Sequence, residues 1–263
     1  MITLISHFFN EEFLMPFWLQ HHVPMFDHGI MIDYASTDRS VEIIRAMAPT
    51  WEIRPSRNEF FDYIEIDKEV MDIEKEITGW KTCLNTTEFL VHPNIKNYVN
   101  SLPAETLGIR TTGAIMVDKQ HQRNTPLTEE LLVTQKHFGY FEKKGPRPSY
   151  ISRSRLIHKA DNGQYTYGRH QSHIPALTAD DVYCAWYGWS PMDWVKQRKL
   201  QIKTKIPQQH FVQGFGGEHN IDDFGLEIRY NEQEGLAIDL FADEPTYKNH
   251  VDELSKSTMK RVS

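Results

Sequence analysis

The sequence predicts an α/β protein with a mostly parallel central sheet and a small antiparallel element added later in the chain. Three observations carry this expectation. Met1-Ile2-Thr3-Leu4-Ile5-Ser6-His7-Phe8-Phe9 is a nearly continuous apolar run, the pattern of a strand covered on both faces. Short apolar runs then alternate with segments of helical period through residue 91, which favours βαβ units. Cap-type residues, foremost Ser36-Thr37-Asp38, stand where the helices would begin.

Taken in order, Asn10 offers an N-cap, and Glu11-Glu12 complement the start of a helix through Phe13, Leu14, Phe17, Trp18 and His21, with Pro16 in its early turns. Asp27-His28-Gly29 is a turn, and Ile30-Met31-Ile32-Asp33 a second strand ending in a carboxylate. Ser36-Thr37-Asp38 opens a helix through Val41, Ile44 and Met47. Trp51-Glu52-Ile53-Arg54 reads as a third strand, Phe61 to Ile77 as a helix, and Trp80 to Leu84 as a fourth strand. Asn85-Thr86-Thr87-Glu88 is a polar break before a second apolar run, Phe89-Leu90-Val91.

Beyond Pro93 the order is less regular. Leu107 to Asp118 is strand material ending at an acid, and Lys119 to Thr128 is a polar loop. Tyr150 to His158 reads as a strand, Asp161-Asn162-Gly163 as a tight turn and Tyr165 to His170 as the return strand of an antiparallel element. The run from Asp180 to Lys205 carries an apolar stripe through Met192, Val195 and Leu200, which suggests a helix. Phe211 to Gly217 reads as a glycine-rich hinge, Ile228–Tyr230 and Leu236–Phe241 as short strands or local packing, and the Lys- and Ser-rich end as frayed.

The chain has 263 residues, enough for one large domain, and 40% hydrophobic with 25% charged residues is a globular balance. A formal net charge of -7 weighs against a nucleic-acid binder, which needs a basic surface to displace phosphate counterions. Lys196 to Lys205 is the one strongly basic segment, either the wet face of a helix or an anion contact. Cys83 and Cys184 sit in apolar settings and read as buried thiols. No apolar stretch approaches the length of a membrane span, so no transmembrane segment is expected. The N-terminus lacks a basic region followed by a long apolar one, so the expected compartment is the cytoplasm, with room for peripheral association at the cytoplasmic face of a membrane.

Neither a Gly-x-Gly-x-x-Gly fingerprint nor a Walker-type loop follows the strands, and no Gly-x-Ser-x-Gly elbow or His-Glu-x-x-His motif occurs. The chemistry must come from elsewhere. Asp33 and Asp38, at a strand end and the following helix start, are placed to meet a base edge and a ribose while helix N–H groups receive phosphate. Both are equally ordinary as a strand-end residue and a cap. Asn85 and Thr87 offer only neutral oxygens to a hard cation, leaving Glu88 as the local charge. Without a metal, a departing diphosphate needs cations, and Arg153, Arg155, His158, Lys159, Arg169, His170, Arg198 and Lys199 are available. Asp118 is the candidate general base for an acceptor hydroxyl.

Several segments together resemble glycosyltransferase family 2 enzymes of the GT-A type, especially the branch related to family 92. They are the first strand with Asn10-Glu11-Glu12, Phe26 through Ser40, Trp80 through Val91, Gly168-Arg169-His170, and the helix bearing Arg198 and Lys199. The similarity runs over 1–205, a GT-A-like domain, with 206–263 an extension packed on it. The resemblance implies transfer of a sugar from a nucleotide-sugar donor to a glycan or other hydroxyl acceptor, with inversion. It makes Asp33, Asp38, Asn85, Thr87, Arg169, His170 and Arg198 donor contacts, and Glu88 and His170 metal contacts. Asn85 and Thr87 stand where relatives carry an Asp-x-Asp motif for Mn²⁺ or Mg²⁺, so the resemblance implies a degenerate motif and a weak or absent need for the ion. The alternative is a non-catalytic GT-A-like module binding a nucleotide, a glycan or a protein.

Overall fold

The computed structural model describes residues 1–123, 125–142, 153–212 and 222–262. Its first half is the expected alternation: β1 (Ile2–Phe8), α1 (Met15–His22), β2 (His28–Asp33), α2 (Ser40–Met47), β3 (Glu52–Pro55), α3 (Tyr63–Glu74) and β4 (Trp80–Cys83). These strands lie in the order β3-β2-β1-β4, and each neighbouring pair is parallel. The alternation of side chains along a strand gives each strand two apolar faces. Leu4, Phe8 and Met31 turn into the main core with α1 and α2, while Ile5, Ile30 and Ile32 turn the other way onto Ile66, Val70 and Ile73 of α3.

The remaining strands are β5 (Glu88–Val91), β6 (Gly108–Val117), β7 (Phe138–Phe141), β8 (Leu156–His158), β9 (Leu177–Trp189) and β10 (Ile238–Asp239). β8 joins β4 to β6 by antiparallel pairing on both sides, and β7 and β10 continue that flank antiparallel. β9 runs parallel to β6 and antiparallel to β5. The chain is therefore an α/β protein on one mixed sheet, all parallel over β3-β2-β1-β4 and mixed beyond, where β6 and β9 are parallel and the other pairs antiparallel. The later helices are α4 (Ile95–Ser101), α5 (Leu132–Gln135), α6 (Met192–Lys203), α7 (Gln208–Val212), α8 (Asp223–Leu236), α9 (Leu240–Asp243) and α10 (Pro245–Val262). None of the described helices is long and apolar enough to cross a membrane.

Topology places a crevice. The chain steps outward from β1 to β2 to β3 and then returns to the other side of β1 as β4, so the loops after β1 and β4 diverge at their C-terminal ends. Such a reversal is where open α/β sheets hold ligands.

The loops after β1 and β2 are laced together. Asn10 has a left-handed φ of 52°, its Oδ1 accepts the Thr37 N–H at 2.8 Å, and its own N–H donates to the Ser36 hydroxyl at 3.1 Å. The Glu11 N–H donates to Ser40 Oγ at 2.8 Å and the Glu12 N–H to Asp38 Oδ2 at 2.9 Å. Asn10 is thus a bridge between loops and not the expected helix cap; α1 begins later, with Pro16 at its first positions and no side-chain cap.

Other sequence expectations change with the structure. Tyr165 to His170 is no strand: Tyr165 makes an isolated bridge to Ser172, and Tyr167–Arg169 is a 3₁₀ turn in which Gly168 and Arg169 take φ of 70° and 59°. The start of the Asp180–Lys205 run belongs to β9, whose inner residues are buried on both faces, and α6 begins only at Met192. Leu200 is 65% exposed, and the buried stripe of α6 is Met192, Val195, Lys199 and Ile202. Ile228–Tyr230 lies inside α8. The end of the chain is helical to Val262 and not frayed, with Tyr247, Val251 and Leu254 in the core. Cys83 and Cys184 are buried free thiols. The first residues of the Tyr150–His158 strand and most of the Phe211–Gly217 hinge lie outside the described residues.

Candidate active site

A cavity of about 240 Å³ opens at the reversal point. Its floor comes from the ends of β1 and β4: His7, Phe8, Phe9 and Glu11 on one side, Asn85, Thr86 and Thr87 on the other. One wall is Phe61, Tyr63, Ile66 and Asp67 from the start of α3, and another is Gly168, Arg169 and His170. β9 and α6 supply the third, with Trp186, Tyr187, Trp194, Val195, Arg198, Lys199 and Ile202. Among the described residues, four permanent cations, Arg153, Arg169, Arg198 and Lys199, line it against two carboxylates, Glu11 and Asp67. Aromatic rings share the walls. The space suits an anionic ligand with a flat, apolar part.

The polar break after β4 is a tight turn. The Asn85 carbonyl accepts the Glu88 N–H at 2.9 Å, and the indole N–H of Trp18 donates to the carbonyls of Asn85 and Glu88 at 3.2 and 3.0 Å. Glu88 does not reach the cavity. Its carboxylate forms a buried two-pronged pair with Arg155, Nε to Oε2 at 2.8 Å and a second, short link from Nη2 to Oε1. Asn85 N–H and Nδ2 also donate to it, at 2.8 and 3.2 Å. Asn85 Oδ1 in turn accepts Arg169 Nη2 at 2.8 Å.

A second guanidinium completes the network. Arg169 Nη1 donates to Asp67 Oδ1 at 2.6 Å, and Asp67 Oδ2 accepts the Gly168 N–H at 2.7 Å. Arg169 Nη2 also approaches His7 Nδ1 at 3.5 Å, and Arg169 Nε is buried without a hydrogen-bond partner. Arg155 Nη1 donates to His170 Nδ1 at 3.2 Å, which leaves the neutral ring with its proton on Nε2. Burial, then the charges of Arg169, Arg198 and Arg155, hold His7 well below the usual histidine range.

The residues expected to hold a divalent ion do not fit one. Glu88 faces a guanidinium, His170 Nδ1 faces the same guanidinium, and the amide oxygen of Asn85 faces another. Positive charge already stands where the ion's would be. Glu88 and His170, expected to contact a metal, instead meet Arg155. Among the described residues no group of three or more His, Cys, Asp or Glu side chains is arranged to hold a metal ion.

Asp118, the expected base, is also elsewhere. Its carboxylate accepts the Ser190 hydroxyl at 2.6 Å and the Met192 N–H at 3.1 Å, and pairs with Lys136 at 3.2 Å. It anchors the start of α6 and does not line the cavity. Asp33 and Asp38 do not line it either. Asp33 accepts the Ser36 N–H at 2.9 Å, and Asp38 accepts the Ser40 N–H at 3.0 Å just before α2. Asn85, Thr87, Arg169, His170 and Arg198 do line it.

The carboxylates that face the cavity are residues sequence reasoning passed over. Asp67 interrupts the apolar stripe Ile66, Val70, Ile73, and an acid at a core-facing position is a readable signal. Glu11 was read as a helix-start charge, yet it is buried and accepts Arg198 Nε at 2.8 Å. Burial pushes the Glu11 carboxyl up, opposed by Arg198 and the Thr86 hydroxyl.

No protein-family model matches the sequence, and no curated protein matches it. Solved structures do resemble it. The 1–349 portion of TarS from S. aureus in complex with UDP is 11% identical over 78% of this chain and 64% of that one, with a TM-score of 0.39. Glucosyl-3-phosphoglycerate synthase from Mycobacterium tuberculosis, in complex with Mn²⁺, UDP-glucose and phosphoglyceric acid, is 13% identical over 79% of this chain and 80% of that one, at 0.39. In other structures of these two proteins the match spans only 38% and 43% of their length, at TM-scores of 0.32 and 0.30.

Proposed function

We propose that the chain is a GT-A-like glycosyltransferase that moves a sugar from a nucleotide-sugar donor to a glycan or other hydroxyl acceptor, with inversion, and that side-chain cations stand in for a divalent ion. The observation that carries this reading is the cavity at the reversal of strand order, where four cations outnumber two carboxylates. The sequence motifs quoted above support it independently. On this reading 1–205 is the GT-A-like unit and 206–263 an extension; the pairing of β10 with β7 supports its packing on the same sheet.

The chemistry is a direct displacement. An acceptor hydroxyl attacks the anomeric carbon, the bond from that carbon to the diphosphate oxygen breaks, and the hydroxyl proton passes to a carboxylate. Glu11 is the proposed base, since it faces the cavity and burial raises its proton affinity toward the useful range. Arg169 is fixed by Asp67 and Asn85 and Arg198 by Glu11, so both meet the departing diphosphate with little rearrangement. Aromatic residues at the start of α3 and along β9 give the base and sugar flat surfaces.

A second reading, a binding module without turnover, is favoured by one observation: both cavity carboxylates already sit in ion pairs with guanidiniums. The test is transfer from a panel of nucleotide sugars to an acceptor panel, in excess EDTA and in Mn²⁺. Turnover in EDTA that falls at least tenfold in Glu11→Gln supports the enzyme. Nucleotide binding with no turnover across the panel leaves the module.

A further inference from the structure

The donor cavity has a neighbour. A second groove, of about 680 Å³, is lined by Phe13, Phe17, Thr125, Leu127, Asp193 and Gln197 among others, and Trp194 lines both spaces. That volume lies within the range of small-molecule sites, roughly 300–1,000 Å³. The rings form a continuous floor. Phe13 stacks on Trp194 with centroids 5.7 Å apart and planes 21° apart, and Phe17 follows at 6.5 Å from Phe13. Phe13 is 43% exposed in spite of its position between two other aromatic residues. The Arg198 guanidinium lies 5.3 Å from the Trp194 ring, and it carries Glu11. Trp194 and Arg198 therefore connect the groove to the proposed base.

We propose that this groove is the acceptor subsite and that its occupant is an uncharged glycan. The inference rests on the donor reading of the first cavity. The chemistry of the walls selects the class of ligand. The exposed Phe13 ring packs against the C–H face of a pyranose, and the Gln197 amide, Thr125 hydroxyl and Asp193 carboxylate of the lining meet hydroxyls as donors and acceptors. Charge argues against an anionic acceptor. Arg123, the one cation of the groove among the described residues, is neutralised by Glu227 at 2.8 Å and Glu234 at 3.6 Å, and Asp193 leaves an acidic balance. The groove thus differs in sign from the cation-rich donor cavity with which it shares a wall. A sugar seated on Phe13 lies next to Trp194, whose buried ring also borders the donor space, as transfer requires.

The test uses the full chain and two measurements on the same samples. Binding is read on a printed glycan array and confirmed by saturation-transfer NMR on the retained sugars, while UDP, GDP, ADP, CDP and dTDP are titrated separately. The expected result is retention of one or more neutral glycans, weakened at least tenfold in Phe13→Ala and in Gln197→Ala, with nucleotide affinity held within twofold because neither residue lines the donor cavity. Circular dichroism and the nucleotide titration together establish that the variants are folded. Nucleotide binding with no glycan retained, retention only of acidic glycans, or glycan binding indifferent to both substitutions overturns the inference and leaves the donor reading standing. Glycan binding lost in the variants with no nucleotide bound to any of them upholds the groove and removes the donor reading.

Discussion

Glu88→Gln is the substitution whose cost the geometry defines best. The side chains of Glu88 and Arg155 are 0% and 1% exposed, and the carboxylate receives Arg155 Nε and Asn85 N–H at 2.8 Å each, with Arg155 Nη2 and Asn85 Nδ2 on its other oxygen. Glutamine replaces one acceptor oxygen by an amide donor. Whichever way it turns, an N–H opposes an N–H, and the buried guanidinium loses its counter-charge. Breaking a buried pair in this way costs about 3–5 kcal/mol. Removing both charges, in Glu88→Leu with Arg155→Met, leaves chiefly the Asn85 N–H without its acceptor, about 1–3 kcal/mol. The double variant is therefore more stable than Glu88→Gln, by about 2 kcal/mol on these two ranges. Urea unfolding followed by tryptophan fluorescence and circular dichroism, extrapolated linearly to water, measures both. A Glu88→Gln protein within about 1 kcal/mol of the parent, or a double variant less stable than it, would refute the role assigned to this pair.

Three further outcomes follow from the same contacts. Asn85→Asp combined with Thr87→Asp restores the carboxylates of an Asp-x-Asp motif, yet it sets a negative charge against Glu88, whose Oε1 lies 3.2 Å from Asn85 Nδ2. It should lower stability and produce no Mn²⁺-dependent nucleotide binding; binding that appears on adding Mn²⁺ would mean the guanidiniums yield the site. Arg198→Met should weaken nucleoside diphosphate binding about tenfold to a hundredfold, the loss of one charge-assisted hydrogen bond, with titration calorimetry as the measurement. Stability should also fall in mild acid. Burial holds His21 at about 4, below the 6.5 of the unfolded chain, with only partial relief from the Leu90 carbonyl. The unfolded state then binds the extra proton first, so stability is lost as pH falls from 6.5 toward 4, by about 3 kcal/mol from this residue. His21→Gln should flatten that part of the stability profile; an unchanged slope would assign it to other groups.

The parallel half of the sheet was legible because its signals are local. The apolar run at the N-terminus, the turn at His28-Gly29 and the stripe Ile66, Val70, Ile73 each lie within one element. What failed depends on partners distant in sequence. Asp118 looks like a strand-end acid facing solvent until Ser190 and Met192, more than 70 residues away, arrive to take its carboxylate. Asp33 and Asp38 sit in the most specific motif of the chain, yet Asp33 bonds within its own loop and Asp38 ties that loop to the one after β1, and the motif is readable without its role. β9 was hidden because residues buried on both faces show no alternation. α10 was hidden because Lys and Ser dominate its composition, although Tyr247, Val251 and Leu254 keep one helical face apolar. The neutral residues at 85 and 87 were readable as such, and both line the cavity. Arg155 and Arg169, which hold Glu88 and Asn85, could be enumerated from sequence but not converged.

On the proposed reading this cavity binds a nucleoside diphosphate through side-chain cations without a divalent ion. Titration of UDP, GDP, ADP, CDP and dTDP into the intact chain in excess EDTA, repeated with Mn²⁺, tests it directly. Saturable binding of at least one nucleotide in EDTA, little changed by Mn²⁺, is the predicted result. No binding by any of the five, or binding only when Mn²⁺ is present, would contradict it.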